Sequence, residues 1–342
     1  MKRLLLLFVI SLTSDLIFSQ PHDNYRVLFY NVENLFDIYN DTLKNDEEFL
    51  PERERFWNKH RYYNKLNNTY KVIIAVGEWN PPAIIGLCEI ENRKVLHDLV
   101  NNTPLVKFEY KIIHKESPDR RGIDVGFLYR EELFKPLKSE FIPINFPNNP
   151  ESKTRDIMYV KGIANKIDTL HIFINHWPSR WGGQLESEGR RVFVSSVLKA
   201  KVDSIFKSYS ASNIIVTGDF NDYPDNKSIN DILNASQNLD SIQKDQLYNL
   251  SAQLFKTKNI GTHKYQGEWG VLDQFIVSGN LLKNENKIQT SVNDTYIFNA
   301  DFLLEPDEGH FGYKPFRTFI GYKYNGGFSD HLPTYLILKF NK

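Results

Sequence analysis

Polar side chains that can bind metal ions or transfer protons follow several apolar runs of this sequence. The runs RVLFY, AIIGLC, HIFIN and NIIVTG are followed by such residues: Asn31, Glu89, His176, and Asp219 with Asn221. Any one of them alone is explained as a turn residue, since Asn and Asp commonly end strands. Five in one chain, with carboxylates among them, indicate instead that several strand ends meet at one rim.

An acid and an imidazole, Asp330 and His331, stand side by side before the last apolar run. Glu89, Asp219 and Asp330 on one rim would repel one another unless a cation lies between them, and hard divalent cations prefer oxygen ligands. Magnesium is therefore the natural candidate. Zinc is disfavoured, because the single cysteine, Cys88, and the scattered histidines show no zinc-ligand spacing.

The stretch GDFND, residues 218–222, could direct two polar groups at one atom. In an extended backbone Asp219 and Asn221 point to one side and Phe220 to the other. One strand end would then present a carboxylate and an amide to the same substrate oxygen or water.

The elements that must position these residues are short apolar or alternating runs, with longer helical segments between them. We predict strands at 25–31, 83–88, 122–129, 157–164, 169–175, 213–218, 271–278, 317–324 and 333–340. We predict helices at 185–206, where Val194, Leu198, Val202 and Ile205 share one face, at about 56–76, and in a shorter segment after Asn92. Strands mixed with helices and no linker favour one α/β domain.

Composition excludes some arguments about partners and location. Lys plus Arg and Asp plus Glu both number 42, so net charge does not favour nucleic acid or membrane as a partner. Residues 1–20 place Lys2 and Arg3 before an apolar run that is too short to span a bilayer, which is the order of a secretory signal; a buried strand is the alternative. We therefore expect a signal peptide at 1–20, one domain at 21–342, no transmembrane span, and a secreted or periplasmic protein.

Six stretches, in this order, carry a family resemblance: FYNVENLFD, IIGLCEIEN, INHWPSR, VTGDFND, GVLDQF and SDHLP. They resemble the motifs of the endonuclease/exonuclease/phosphatase superfamily, which includes deoxyribonuclease I and exonuclease III, and they extend over nearly the whole mature chain. The NVENLFD and NHWPSR versions look most like a bacterial, often exported, branch. The resemblance implies a four-layer α/β/β/α sandwich, two mixed β-sheets flanked by helices.

The resemblance also implies which residues bind the metal ion. It assigns Asn31 and Glu89 to the metal and phosphate site and adds Asp330 to the metal site. The implied ion is Mg²⁺, with Mn²⁺ or Ca²⁺ as alternatives.

The resemblance further implies the catalytic groups. Asp219 and Asn221 would orient the attacking water or stabilise the pentavalent phosphorus. Asp273 would hydrogen-bond His331 and favour its protonated form. His176 matches the second histidine of the deoxyribonuclease-like members. The sequence leaves open whether Asp219 or His331 deprotonates the water.

Other residues near the motifs keep two interpretations. Arg180 could bind a substrate phosphate bidentately or be a surface charge at a helix start, and the sequence leaves both open. Glu33 and His263 could face either the site or solvent. We interpret Arg190 and Arg191 as surface charge, and we interpret Trp177, Trp181 and Trp269 as packing rather than base stacking.

The leading hypothesis is an Mg²⁺-dependent hydrolase of phosphodiester bonds, an extracytoplasmic endonuclease on DNA or RNA. The first alternative is a phosphomonoesterase or a phospholipid or sphingomyelin headgroup phosphodiesterase. The second is a non-catalytic binding protein on the same fold. The presence of Glu89, Asp219, Asp330 and His331 together disfavours that last alternative.

Overall fold

The fold is built mainly from β-strands. The computed structural model of the chain describes residues 25–258 and 261–341, so the predicted signal peptide at 1–20 lies outside the described residues. In chain order the strands are β1 Tyr25–Leu35, β2 Ile84–Ile90, β3 Lys111–His114, β4 Asp124–Tyr129, β5 Phe134–Ile142, β6 Ile157–Ala164, β7 Asp168–His176, β8 Ile214–Asp219, β9 Ala235–Ser236, β10 Leu247–Asn249, β11 His263–Tyr265, β12 Glu268–Gly270, β13 Asp273–Ser278, β14 Ile288–Gln289, β15 Thr295–Ile297, β16 Leu304–Pro306, β17 Tyr313–Pro315, β18 Phe319–Ile320, β19 Lys323–Tyr324 and β20 Thr334–Phe340. The α-helices are α1 Lys59–Gly77, α2 Arg93–Asn101, α3 Gln184–Ser208 and α4 Ser251–Lys258.

Most strands belong to two large mixed sheets. The first sheet has the order β14-β20-β1-β2-β4-β3, with β15 also paired to β20, and the second has the order β5-β6-β7-β8-β13-β10-β9. The pairs β1–β2 and β7–β8 are parallel, whereas β20 and β13 run antiparallel to their neighbours β1 and β8. Smaller hairpins, β11–β12, β16–β17 and β18–β19, lie outside these sheets.

Alternating side chains build three layers of apolar core. On β1, Val27 and Phe29 pack between the two sheets, whereas Leu28 and Tyr30 pack against α1 and α2 on the outside. On the second sheet Phe173 faces α3 on the opposite outside. Helix, sheet, sheet and helix therefore follow one another, and the predicted four-layer sandwich is confirmed.

The predicted helices are confirmed, and their caps explain where two of them begin. Asn58 and Asn92 precede α1 and α2, and each side chain accepts a hydrogen bond from the backbone N–H three residues later. In α3 the predicted apolar face, Val194, Leu198, Val202 and Ile205, is buried against the second sheet.

One predicted strand is wrong, and several observed strands were missed, of which β5 is the longest. The run 317–324 is not a single strand but the hairpin β18–β19, whose turn contains Gly321 with a φ of 60°. Strand β5 carries Pro136 and several lysines, which obscured its pattern; proline is tolerated because β5 is an edge strand with a bulge there.

Among the described residues, no helix combines the length and apolar character needed to cross a lipid bilayer.

Two Gly→Ala substitutions should have opposite effects on stability. At Gly218 a Cβ would lie 2.3 Å from the backbone oxygen of Asn175, so Gly218→Ala forces β7 and β8 apart and should cost about 1–3 kcal/mol of unfolding free energy. At Gly189, an exposed position in α3, a Cβ would meet nothing within 4 Å, so Gly189→Ala should stabilise by about 0.5–1 kcal/mol. Urea unfolding of both variants checks this; equal stabilities would contradict the close contact of β7 and β8.

Candidate active site

Three neighbouring strands of the second sheet bring their polar residues into one row. In the strand register, His176 of β7 lies opposite Asp219 of β8, and Asp219 lies opposite Asp273 of β13. Parallel β7 and β8 end at the same edge of the sheet, and antiparallel β13 begins there. The rim predicted from the sequence is thus produced by the pairing of these strands.

The first sheet supplies Asn31 and Glu89 to the same rim through irregular backbone. Glu89 sits in a bulge between its β2 neighbours with a φ of 61°, and Glu33 and Asn34 in β1 have φ values of 52° and 57°. Such left-handed conformations cost roughly 1–3 kcal/mol each and concentrate at functional sites. The Asn34 N–H donates to Glu89 Oε2 at 2.9 Å, which holds the bulge in place.

Asn31 connects the two sheets at the centre of the site. Its Nδ2 donates to Asp219 Oδ2 at 3.0 Å and lies 3.4 Å from Glu89 Oε1, while its Oδ1 accepts from the Glu33 N–H. The amide nitrogen, rather than the oxygen, faces the carboxylates, so Asn31 orients them in this arrangement.

Asp219 is buried, and its backbone neighbourhood differs from our expectation. Burial raises the pKa of its carboxyl to about 6, with the charge of His331 opposing and that of Asp273 adding to the shift. Strand β8 ends at Asp219, and Asn221 has a φ of 51°, so the predicted extended backbone over GDFND is wrong. The Asn221 N–H donates to Asp219 Oδ1 at 2.9 Å, and its side-chain amide donates to the Trp177 carbonyl.

His331 is held by a buried carboxylate partner. Its Nδ1 lies 2.7 Å from Asp273 Oδ2, and its Nε2 lies 3.9 Å from Asp219 Oδ2. Burial opposes protonation, but the nearby carboxylates of Asp273, Asp219 and Asp330 raise the pKa of His331 well above its usual value. The imidazole is therefore a cation with Nε2 directed at the row of acids.

His176 has the opposite electrostatic character. Its Nε2 lies 3.7 Å from Asp219 Oδ2 and 3.9 Å from Glu89 Oε1. Burial, together with the charge of Arg155, holds its pKa well below the usual range, so it is neutral. Arg155 donates to the carbonyls of His176 and Trp177 and fixes this end of β7.

Asp330 has a cationic partner that the sequence did not indicate. Arg317 Nη2 lies 2.9 Å from Asp330 Oδ2, and Arg317 Nε lies 3.2 Å from Glu33 Oε1. Burial opposes ionisation of Asp330, but the guanidinium holds its pKa below the usual value. Adjacent Asp330 and His331 thus have different partners, and the assignment of Asp330 to the metal stays a prediction.

Glu33 lies on the same side of the fold as the site, and the charge of the buried Lys65 interacts with it. Glu33 Oε2 accepts from the Thr318 N–H at 2.6 Å. Lys65 Nζ donates to the Phe328 carbonyl at 2.6 Å, and burial lowers its pKa to about 8 against the opposing effect of Glu33. A lysine between Tyr62 and Leu66 on the apolar face of α1 was the available sequence signal.

Arg180 braces the loop that carries Asn221. Its Nε donates to the Asn221 carbonyl at 2.7 Å, its Nη2 donates to Asn226, and its guanidinium lies 4.1 Å from the centroid of the Tyr223 ring. These contacts use several of its donors, and its role in binding substrate stays a prediction.

The interpretation of Arg191 as surface charge is wrong. Arg191 is fully buried, and its Nε lies 2.8 Å from Asp222 Oδ1, because the acid that ends GDFND is itself buried and requires a counter-charge. Arg190 is exposed, as expected.

Two further predictions from the sequence are resolved. The ring centroid of His263 lies 4.9 Å from that of His331, so His263 faces the site; burial and the His331 charge lower its pKa to about 4. Trp177 packs edge to face on buried Phe220, which confirms packing for that residue, whereas Trp181 is 90% exposed.

The donor set fits a hard divalent cation. Carboxylate oxygens of Glu89 and Asp219 converge on the amide of Asn31, and oxygen donors of this kind suit Mg²⁺, Mn²⁺ or Ca²⁺. Carboxylate oxygens of Asp219 and Asp273 lie within 4.8 Å of each other, whereas His331, which pairs with Asp273, is assigned to proton transfer rather than to the metal ion. Buried Asp273 Oδ1 and His176 Nδ1 lack hydrogen-bond partners among the described residues, so both atoms can still form a polar contact with a ligand at this edge.

Comparison with known proteins supports this geometry at the level of fold. The human Nocturnin catalytic domain with bound sulfate is 16% identical, with a TM-score of 0.56 over 93% of this chain and 95% of that one. D. rerio TDP2 complexed with a single-strand DNA product is 14% identical, with a TM-score of 0.54 over 93% and 99% of the two chains. A family protein from Bacteroides thetaiotaomicron is 14% identical, with a TM-score of 0.54 over 93% and 98%.

The sequence itself gives the decisive comparison. No curated protein matches it. The model of the Endonuclease/Exonuclease/phosphatase family, however, matches residues 26–340, which include every residue of the site described above. The chain therefore belongs to the endonuclease/exonuclease/phosphatase family of divalent-metal-dependent phosphoric ester hydrolases.

Proposed function

We propose that this hydrolase is an Mg²⁺-dependent nuclease that cleaves phosphodiester bonds of DNA or RNA outside the cytoplasm. The observation that carries the proposal is the placement of His331, whose Nδ1 lies 2.7 Å from Asp273 Oδ2 and whose Nε2 faces buried Asp219. This arrangement places a proton donor, His331, opposite a proton acceptor, Asp219. The similarity to a TDP2 structure that holds a single-strand DNA product supports a nucleic-acid substrate.

The acidic rim would hold the metal ion. Glu89 and Asp330, with Asn31 orienting the carboxylates, are the groups we assign to it. When bound there, a divalent ion neutralises the phosphate charge that otherwise repels an attacking oxygen.

The chain's own residues perform the proton transfers. As the attacking water forms its bond to phosphorus and the bond from phosphorus to the leaving oxygen breaks, His331 donates its Nε2 proton to that leaving oxygen, and Asp273 keeps the imidazole ring oriented. Asp219, with a pKa of about 6, accepts the proton of the attacking water near neutral pH. Neutral His176, whose Nε2 lies 3.7 Å from Asp219 Oδ2, would donate one further hydrogen bond to a phosphate oxygen.

Export stays part of the proposal and is supported by the order of basic and apolar residues in 1–20. The absence of a second cysteine fits a protein that needs no disulfide in an oxidising compartment.

Metal dependence and substrate class are tested together. Purified protein should cleave plasmid, single-stranded DNA or RNA in Mg²⁺, lose that activity in chelator, and regain it when Mg²⁺ is restored. Glu89→Gln should require a higher Mg²⁺ concentration for half-maximal activity, because it removes one negative oxygen ligand. Full activity in chelator would contradict the metal assignment. Turnover of sphingomyelin or a phosphomonoester, with none of nucleic acid, would favour those substrates instead.

The pair of His331 and Asp273 is tested by rate and by pH. His331→Ala should lower kcat by about 10²–10⁴-fold, the usual contribution of general acid–base catalysis. Activity that needs protonated His331 is lost as the pH rises through its raised pKa. Asp273→Asn removes one of the carboxylates that raise this pKa, so the loss should begin at lower pH.

The control for this pair is His60→Ala, an exposed position in α1, which should retain wild-type kinetics. An unchanged alkaline limb in Asp273→Asn would show that His331 does not supply the titrating proton.

Export is tested by expressing the full chain in a Gram-negative host and sequencing the N-terminus of the product. A mature protein that begins near residue 21 in the periplasm or medium supports export. An intact N-terminus in the cytoplasm contradicts it.

A further inference from the structure

A cavity of about 520 Å³ is lined by residues of the segment that follows β8 and of the segment that precedes β13. Its walls include Tyr223, Pro224, Asp225, Glu268, Trp269 and Val271. We propose that this cavity binds a nucleobase adjacent to the scissile phosphate and thereby sets base preference; the inference rests on the proposed nuclease function.

The walls of the cavity are continuous with the catalytic strands. Tyr223 follows Asn221 by two residues, and Val271 precedes Asp273 by two residues. Because Asp219 and Asp273 lie opposite each other in β8 and β13, the segments beyond them leave the sheet at the same edge. Two residues of extended chain span roughly 7 Å, so a group in the cavity is close to the phosphate site.

The aromatic wall is held rigidly. The Arg180 guanidinium lies over one face of the Tyr223 ring, 4.1 Å from its centroid, and the backbone of Gly270 lies against the Cε1, Cζ and Oη atoms of the ring. A Cβ at Gly270 would lie 2.3 Å from Tyr223 Cε1, so only glycine lets the ring pack this closely. Trp269 comes from the adjacent hairpin β11–β12 and is half-buried. Because Arg180 already covers a face of Tyr223, Trp269 is the ring on which a flat base would stack.

The charge of the cavity wall favours a nucleobase over a phosphate group as its ligand. Asp225 and Glu268 are exposed carboxylates, and neither forms an ion pair within the part of the chain that the structure describes. Carboxylates repel phosphate groups but accept hydrogen bonds from amino groups such as N4 of cytosine. The volume of about 520 Å³ lies within the range of small-molecule sites, so the cavity has room for a nucleobase. The cavity therefore favours adenine, cytosine and guanine over thymine and uracil, which lack an exocyclic amino group.

The experiment uses single-stranded oligonucleotides with one cleavable phosphodiester, the other linkages being methylphosphonates. One substrate has cytosine on both sides of that bond, and two others have a tetrahydrofuran abasic residue on the 5′ or the 3′ side. Removal of the base on one side should lower kcat/KM by roughly 5- to 100-fold, the range of base–aromatic stacking.

Protein variants identify the cavity as the cause. Trp269→Ala should lower kcat/KM on the cytosine substrate by the same factor as removal of the base. On the abasic substrate whose kcat/KM is already reduced, Trp269→Ala should cause almost no further loss. Trp269→Phe should restore most of the rate on the cytosine substrate. Asp225→Asn with Glu268→Gln should reduce the preference for cytosine over thymine. The matched control is Trp79→Ala, fully exposed after α1, which should behave as wild type on every substrate.

Each outcome decides between the hypotheses. Equal rates on cytosine and both abasic substrates would overturn the base site and leave the nuclease function intact. A Trp269→Ala defect of the same size on all three substrates would also overturn it, since that result indicates a structural role. Failure to cleave any oligonucleotide, with turnover of sphingomyelin, would instead overturn the nuclease function.

Discussion

Acidic side chains are buried where the edges of the two sheets meet, and each buried charge must be compensated. Asp219 accepts hydrogen bonds from Asn31 and from the Asn221 N–H, Asp273 pairs with His331, and Asp330 pairs with Arg317. Removing one partner from a buried pair costs about 3–5 kcal/mol, because the remaining charge is left without compensation. These pairs therefore connect segments from distant parts of the chain into one site.

The positions of these acids depend on backbone that ordinary strands do not adopt. The bulge at Glu89 turns its carboxylate toward Asn31. Left-handed Glu33 and Asn221 direct their backbone N–H groups at Asn31 Oδ1 and Asp219 Oδ1. Gly218 lets β7 and β8 approach closely enough for His176 to lie opposite Asp219. The β-sandwich thus fixes where the polar groups of the site lie, and the strained backbone at a few residues fixes which way these groups point.

Much of the fold followed from local pattern, and the failures have physical causes. Helix α3 and the central strands carry strong apolar periodicity, so their type and approximate extent were predictable. Edge strand β5 carries lysines and Pro136. These residues are acceptable at the edge of a sheet, but they break the apolar alternation from which strands were predicted. Buried Arg191 looked like surface charge, since only the fold places Asp222 against it. Arg317, which pairs with Glu33 and Asp330, carried no motif signal.

Motifs and apolar periodicity were enough to identify the types and order of the groups that do chemistry, namely the carboxylates, amides and histidines of six motifs, and the layers that carry them. Those features are local, because motif and periodicity are properties of short segments. Only the tertiary structure decided the charge states and partners: His331 is a cation, His176 is neutral, and Asp330 faces Arg317. These properties depend on burial and on charges contributed by distant segments, so they exist only once the two sheets have packed together.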